Sequence, residues 1–118
     1  AYTTPDALKL GGMLSAHAKT QQARELHIVA PAGVASADIA LGVVLRAYQF
    51  ADYKTKRTDQ AVLEKVVVHG ADSKQAQKAW LVCQGVADGV YLARDLMNQP
   101  PNICTPAGFV DTTRARLK

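Results

Sequence analysis

Two stretches decide the fold class of this chain: Leu26-His27-Ile28-Val29-Ala30, closed by Pro31, and Lys65-Val66-Val67-Val68-His69-Gly70. Both are short apolar runs rich in β-branched residues and stopped by a turn former, which is how buried strands read. The Val triplet suits a sheet covered on both faces.

The segments around these runs have helical spacing. Thr4-Pro5-Asp6 opens the first helix, with Thr4 as cap and Pro5 at the first helical position, and Leu10, Leu14 and Ala18 recur along it. Gly11-Gly12 inside that helix costs about 1 kcal/mol per glycine relative to Ala, so close approach to a neighbouring backbone is expected, most simply to a sheet. After the turn Pro31-Ala32-Gly33, Ser36 is placed to cap a second helix with Asp38 in its first turn. Ile39, Val43 and Ala47, flanked by Ala40, Val44 and Leu45, give this helix a broad apolar face. Ala51 to Asp59 is polar and basic and reads as a connection. Asp72 or Ser73, with Gln75, caps a long helix whose apolar positions are Ala79, Val82, Val86, Val90, Ala93 and Met97. It ends before Pro100-Pro101, and Thr105-Pro106 starts a last helix to about Leu117.

Helix, strand, helix, strand, helix, helix is the order of an α/β protein with helices against a parallel or mixed sheet. Two strands leave both sheet edges unpaired, so further strands are expected outside these 118 residues. The start lacks an initiator Met and any signal-peptide pattern, which fits a native N-terminus that was removed or lies upstream. An apolar share of 48%, a charged share of 20% and a net charge of +4 are those of a soluble domain, and the charge is too mild to imply a nucleic-acid partner. No apolar run approaches the roughly 20 residues of a membrane span. Cys83 and Cys104 have neither metal-type nor redox-type spacing and read as reduced thiols of a cytosolic protein.

The residues for chemistry are sparse. His17, His27 and His69 show no metal-ligand spacing, and His69 is the best placed, at a strand end. The acids Asp6, Asp38 and Asp72 sit at helix starts, and Asp88 and Asp95 lie two turns apart on one helix, with Asp95 and Arg94 pointing apart. Nothing converges as a dinuclear metal site requires. Cys83 has no basic neighbour and reads as a structural thiol. One basic cluster, Arg46, Lys54, Lys56 and Arg57, is interleaved with Tyr48, Phe50 and Tyr53. It suits an interface with a partner domain, or contact with nucleic acid.

The stretch Gly89-Val90-Tyr91-Leu92-Ala93-Arg94-Asp95-Leu96-Met97-Asn98-Gln99-Pro100-Pro101-Asn102-Ile103-Cys104-Thr105-Pro106 resembles the segment that joins the N-terminal and catalytic domains in the leucine aminopeptidase (cytosol aminopeptidase) family. Upstream, Leu45-Arg46-Ala47-Tyr48-Gln49-Phe50 with Tyr53-Lys54-Thr55-Lys56 resembles a second segment of the same family, in the same order. The resemblance implies a partial macro-domain-like mixed sheet flanked by helices over 1–72, a long interdomain linker helix over 73–99, and the start of a catalytic domain over 100–118. Arg94, Asp95, Asn98, Pro100, Asn102, Thr105 and Pro106 are then linker residues, while Arg46, Tyr53, Lys54, Lys56 and Arg57 remain the interface or DNA candidates; the alternative is a DNA-binding or ligand-binding α/β module that uses the basic cluster 46–57. It further implies a cytoplasmic, hexameric parent that removes N-terminal residues from peptides with two divalent metal ions, zinc or manganese. Those metals and the catalytic groups belong to the later domain, so no catalytic or metal residue is assigned within this chain. A helix of about 25 residues is near 37 Å long, which suits a joint between domains.

Overall fold

The computed structural model describes residues 3–50, 63–70 and 73–116. Six elements follow one another: α1 (Thr4–Thr20), β1 (Glu25–Val29), α2 (Ser36–Ala47), β2 (Lys65–His69), α3 (Ser73–Asn98) and α4 (Pro106–Arg116). The strands pair in parallel, with Glu25 opposite Lys65 and Val29 opposite His69. The architecture is helix-dominated α/β with a two-stranded parallel sheet, and no antiparallel pair occurs among the described residues.

Alternation along each strand sends Leu26, Ile28, Ala30, Val66 and Val68 into a core with Ala7, Ile39 and Val43. Ile39 and Val43 are 0% exposed, and burial of each stabilises the fold by about 2 kcal/mol. The reverse face carries Glu25, His27, Val29, Lys65, Val67 and His69. Val29 there is 79% exposed, so the expected cover on both faces is found on only one among the described residues. The Val triplet supplies β propensity at all three positions, but only Val66 and Val68 face the core.

The two central helices touch backbone to backbone. A Cβ built on Gly11 would run into the Ile39 carbonyl oxygen and stand 2.9 Å from Val43 N, and one on Gly42 would run into the Leu8 carbonyl. The close approach expected at Gly11-Gly12 is therefore to α2 and not to the sheet. Ala7, Ser15 and Ala18 are buried on the same side of α1 and keep the helices near. Ala47, expected in the apolar face of α2, is exposed because the helix ends there.

Helix ends also depart from expectation by one residue. Thr3, not Thr4, caps α1: its N–H and its hydroxyl both donate to the Asp6 carboxylate, at 3.0 and 2.7 Å. These bonds hold the Asp6 carboxyl below its usual range. The far end closes with Ala23 N–H on Ala18 O at 2.9 Å and Gln22 N–H on Lys19 O at 3.1 Å, with Gln22 left-handed at φ 53°. The cap of α2 is Ala35, which makes no side-chain bond, and Ser36 lies inside the first turn against Gly70. The expected cap Asp72 lies outside the described residues.

The 26 residues of α3 extend about 39 Å and pack on α2. Their inward face is Trp80, Cys83, Ala87, Tyr91 and Arg94. The stripe read from the sequence points elsewhere: Val82 is 71%, Val86 49% and Met97 86% exposed. The stripe has helical period, as the contact face does, but lies about a quarter turn round the helix from it. Periodicity fixes that a face exists, and α2 fixes which face is used here.

Candidate functional site

An α-helix leaves its last carbonyls without intrahelical partners. At the end of α2 the chain turns extended at Tyr48, with φ −51° and ψ 130°, and among the described residues no backbone turn satisfies those carbonyls. Side chains of α3 do so instead. Tyr91 donates its hydroxyl to Val44 O, and Arg94 donates to Leu45 O at 2.8 Å. Tyr48 itself lies between them. Its hydroxyl donates to Asp95 Oδ1 at 2.8 Å, Tyr91 meets its ring edge-on at 5.0 Å, and the Arg94 guanidinium sits 5.3 Å from the ring centre.

Asn98 completes the contact, donating to Arg94 O at 2.8 Å and to the Tyr48 hydroxyl at 3.4 Å. Tyr91, Arg94, Asp95 and Asn98 stand at steps of three, one and three, which brings all four to one side of α3. Burial, and secondly the bond to Asp95, raises the Tyr48 hydroxyl above its ordinary value, and burial does the same for Tyr91. Both hydroxyls therefore stay protonated as donors. Arg116 of α4 approaches the second Asp95 oxygen at 3.6 Å, tying the last helix to the same point.

Of the residues singled out as linker, Arg94, Asp95 and Asn98 meet in this joint. Arg94 and Asp95 were expected to point apart, yet both reach the Tyr48 region, one over the ring and one at the hydroxyl. Pro100 turns the chain after α3, its carbonyl accepting from Ile103 N at 2.9 Å and Cys104 N at 3.0 Å, with Asn102 exposed within the turn. Thr105 caps α4 by accepting from Gly108 N at 3.2 Å, and Pro106 is the first helical residue. Tyr48 and Tyr91 were not singled out as partners. The signal was there in a Tyr followed at three, four and seven residues by Arg, Asp and Asn on one helix side.

Of the basic cluster, Arg46 is exposed near the end of α2, and Tyr53, Lys54, Lys56 and Arg57 lie outside the described residues. Histidine contacts were missed. His27 Nδ1 and His69 Nε2 lie 3.2 Å apart, because parallel register brings residues 42 positions apart onto one sheet face. Glu25 approaches His27 at 3.7 Å and Lys65 at 3.6 Å on that face. His17 is exposed at the end of α1. Cys83 is half-buried with Asp38 Oδ1 4.0 Å from its sulfur. Burial first, and that carboxylate second, raises its pKa and keeps it a thiol. Among the described residues no three His, Cys, Asp or Glu side chains converge to hold a metal ion, so they do not fit a dinuclear centre. No described helix is long and apolar enough to cross a membrane.

What these residues build is a junction: an α/β body whose second helix is capped by side chains of the long third helix. No family model matches the sequence. The chain is nonetheless homologous, over nearly its whole length, to the cytosol aminopeptidases. It is 39% identical over 123 residues to a probable cytosol aminopeptidase of Rhizobium rhizogenes, spanning 96% of this chain and 25% of that protein. A probable cytosol aminopeptidase of Agrobacterium fabrum is 41% identical over 114 residues, spanning 90% of this chain and 23% of that protein. Among solved structures, a tomato leucine aminopeptidase variant superposes with a TM-score of 0.82 at 26% identity, covering 98% of this chain and 25% of that one. The chain thus spans about a quarter of the length of the relatives it matches.

Proposed function

We propose that this chain is the non-catalytic N-terminal and linker segment of a metal-dependent leucyl aminopeptidase. Residues 1–72 belong to an α/β domain of macro-domain-like architecture, 73–99 to the linker helix and 100–118 to the first part of the catalytic domain. The observation that carries this reading is the joint. The two stretches that resemble the family, 45–50 and 89–106, meet in space through Tyr48, Tyr91, Arg94, Asp95 and Asn98. Identity near 40% to cytosol aminopeptidases over nearly the whole chain supports it.

In this role the segment does no bond-breaking. Its work is to fix an angle: Tyr91 and Arg94 lock α3 to the end of α2, so the polypeptide beyond α4 leaves in one direction. Two divalent ions, zinc or manganese, would polarise the peptide carbonyl and activate water in the later domain. A cytoplasmic homohexamer acting on peptides is the corresponding whole protein. The complete polypeptide should release p-nitroaniline from leucyl-p-nitroanilide when supplied with manganese or zinc, whereas residues 1–118 alone should not. A complete polypeptide inert on leucyl, alanyl and methionyl substrates with either metal would overturn the reading.

A further inference from the structure

We propose, independently of the aminopeptidase reading, that His27 and His69 form a two-imidazole chelate for a divalent transition-metal ion of the copper and zinc type, with Glu25 as the residue that positions His27.

The strands set the geometry. His27 stands opposite Val67 and His69 opposite Val29, so the two histidines lie diagonally across neighbouring strands on one face. Donors carried by paired strands are held more firmly than donors carried by loops. The ring planes differ by 23° with centroids 5.5 Å apart, and His27 Nδ1 lies 3.2 Å from His69 Nε2. The rings therefore meet edge to edge, nitrogen facing nitrogen. Zinc binds imidazole nitrogen at about 2.0–2.1 Å, so an ion touching both atoms at this separation would see them at roughly 100°. That angle falls between the square and the tetrahedral arrangements. Both side chains are exposed, so each ring has room to tilt its lone pair towards an ion seated just off the line between them.

Proton placement favours the same pair of atoms. An imidazole ligates through its bare nitrogen, and what the other nitrogen meets decides which one is bare. Glu25 Oε2 lies 3.7 Å from His27 Nε2. The carboxylate draws the proton to Nε2 and leaves Nδ1 as an acceptor, so in the metal-free pair His69 Nε2–H donates to it. An ion takes the place of that shared proton, and His69 then carries its hydrogen on Nδ1. Both rings are neutral before and after, and the exchange releases no proton.

The surroundings narrow the choice of ion. Lys65 meets the same Glu25 oxygen at 3.6 Å, so these two charges offset each other and the imidazoles decide the affinity. No third His, Cys, Asp or Glu completes the set among the described residues, which leaves the other positions on the ion to water. Two imidazole nitrogens select copper(II), nickel or zinc over magnesium, calcium or manganese, which prefer oxygen donors.

Copper(II) is the probe, titrated into the complete polypeptide near neutral pH and followed by electron paramagnetic resonance. The parent should give a signal split by two imidazole nitrogens, absent from both His27→Ala and His69→Ala. Glu25→Gln should keep the two-nitrogen splitting and bind copper about tenfold more weakly. Urea midpoints without added metal should match the parent's in all three variants, which separates a lost site from a lost fold. A second measurement needs no variant: saturating zinc should slow diethyl pyrocarbonate modification of His27 and His69 together by about tenfold, and leave the exposed His17 unchanged. A two-nitrogen signal surviving in either alanine variant, a parent that shows none, or histidines 27 and 69 equally reactive with and without zinc would overturn the proposal.

Discussion

Glycine interrupts helices in both halves of this molecule, at Gly11 and Gly42 where α1 crosses α2, and at Gly85 and Gly89 along α3. In the first pair an added Cβ would strike a backbone carbonyl of the opposite helix; around the second pair nothing lies within 4 Å. The same residue type, with the same intrinsic cost of about 1 kcal/mol in a helix, is required in one place and idle in the other among the described residues. The body of the molecule is held by backbone contact between helices. The arm formed by α3 and α4 rests on α2 through Ala87 and its neighbours and is tied by polar side chains at one joint, and α4 has no buried residue.

That contrast can be broken from either end. The largest effect should come from Gly42→Ala or Gly11→Ala. Carbonyl oxygens cannot move aside as a flexible side chain could, so each variant should lose about 3 kcal/mol or more in urea unfolding. A loss below about 1 kcal/mol would mean that α1 and α2 are not in backbone contact. Next in size is Arg94→Ala, which strips a charged donor from the Leu45 carbonyl and a cation from the Tyr48 ring. It should cost about 2 kcal/mol, and Arg94→Lys should recover only part of it because an ammonium cannot lie flat on the ring.

Alkaline titration probes the joint with a smaller expected effect. Tyr48 and Tyr91 are raised above the ordinary tyrosine value of 10.0, so the folded state holds their protons more tightly than the unfolded chain does. Their contribution is complete below that value and is lost as pH climbs through it towards the raised values. Melting curves between pH 9 and about 12 should fall more steeply for the parent than for the Tyr48→Phe, Tyr91→Phe double variant. Parallel curves would show that these hydroxyls contribute nothing to the joint. The smallest effect has the opposite sign: Gly85→Ala and Gly89→Ala should each gain about 0.5–1 kcal/mol, measured by urea unfolding, because the new methyl group meets open space. A loss at either site would reveal a neighbour against that face of α3.

Much of the body was legible in the sequence. Both strands, the Thr105-Pro106 helix start and the stop before Pro100 were found, because caps, prolines and β-branched runs act over a few residues. Less of the candidate site was legible. The linker stretch was found by resemblance, but its mechanics were not: that Arg94 and Tyr91 cap α2 depends on two helices meeting nearly fifty residues apart. The apolar stripe of α3 was found, but the face that packs on α2 lies about a quarter turn from it, because a helix can carry two faces of the same period.

Local chemistry therefore settled where each element begins and ends to within about a residue and that the whole is α/β. Those choices rest on hydrogen bonds and dihedral preferences within one turn or one strand. Only the tertiary structure decided that Gly11 lies against α2, that the described residues cover one face of the sheet, that His27 meets His69, and that Tyr48 is the pivot of the joint. Each of these is a contact between residues far apart in the chain, set by how helices and strands pack, which spacing along the chain does not encode.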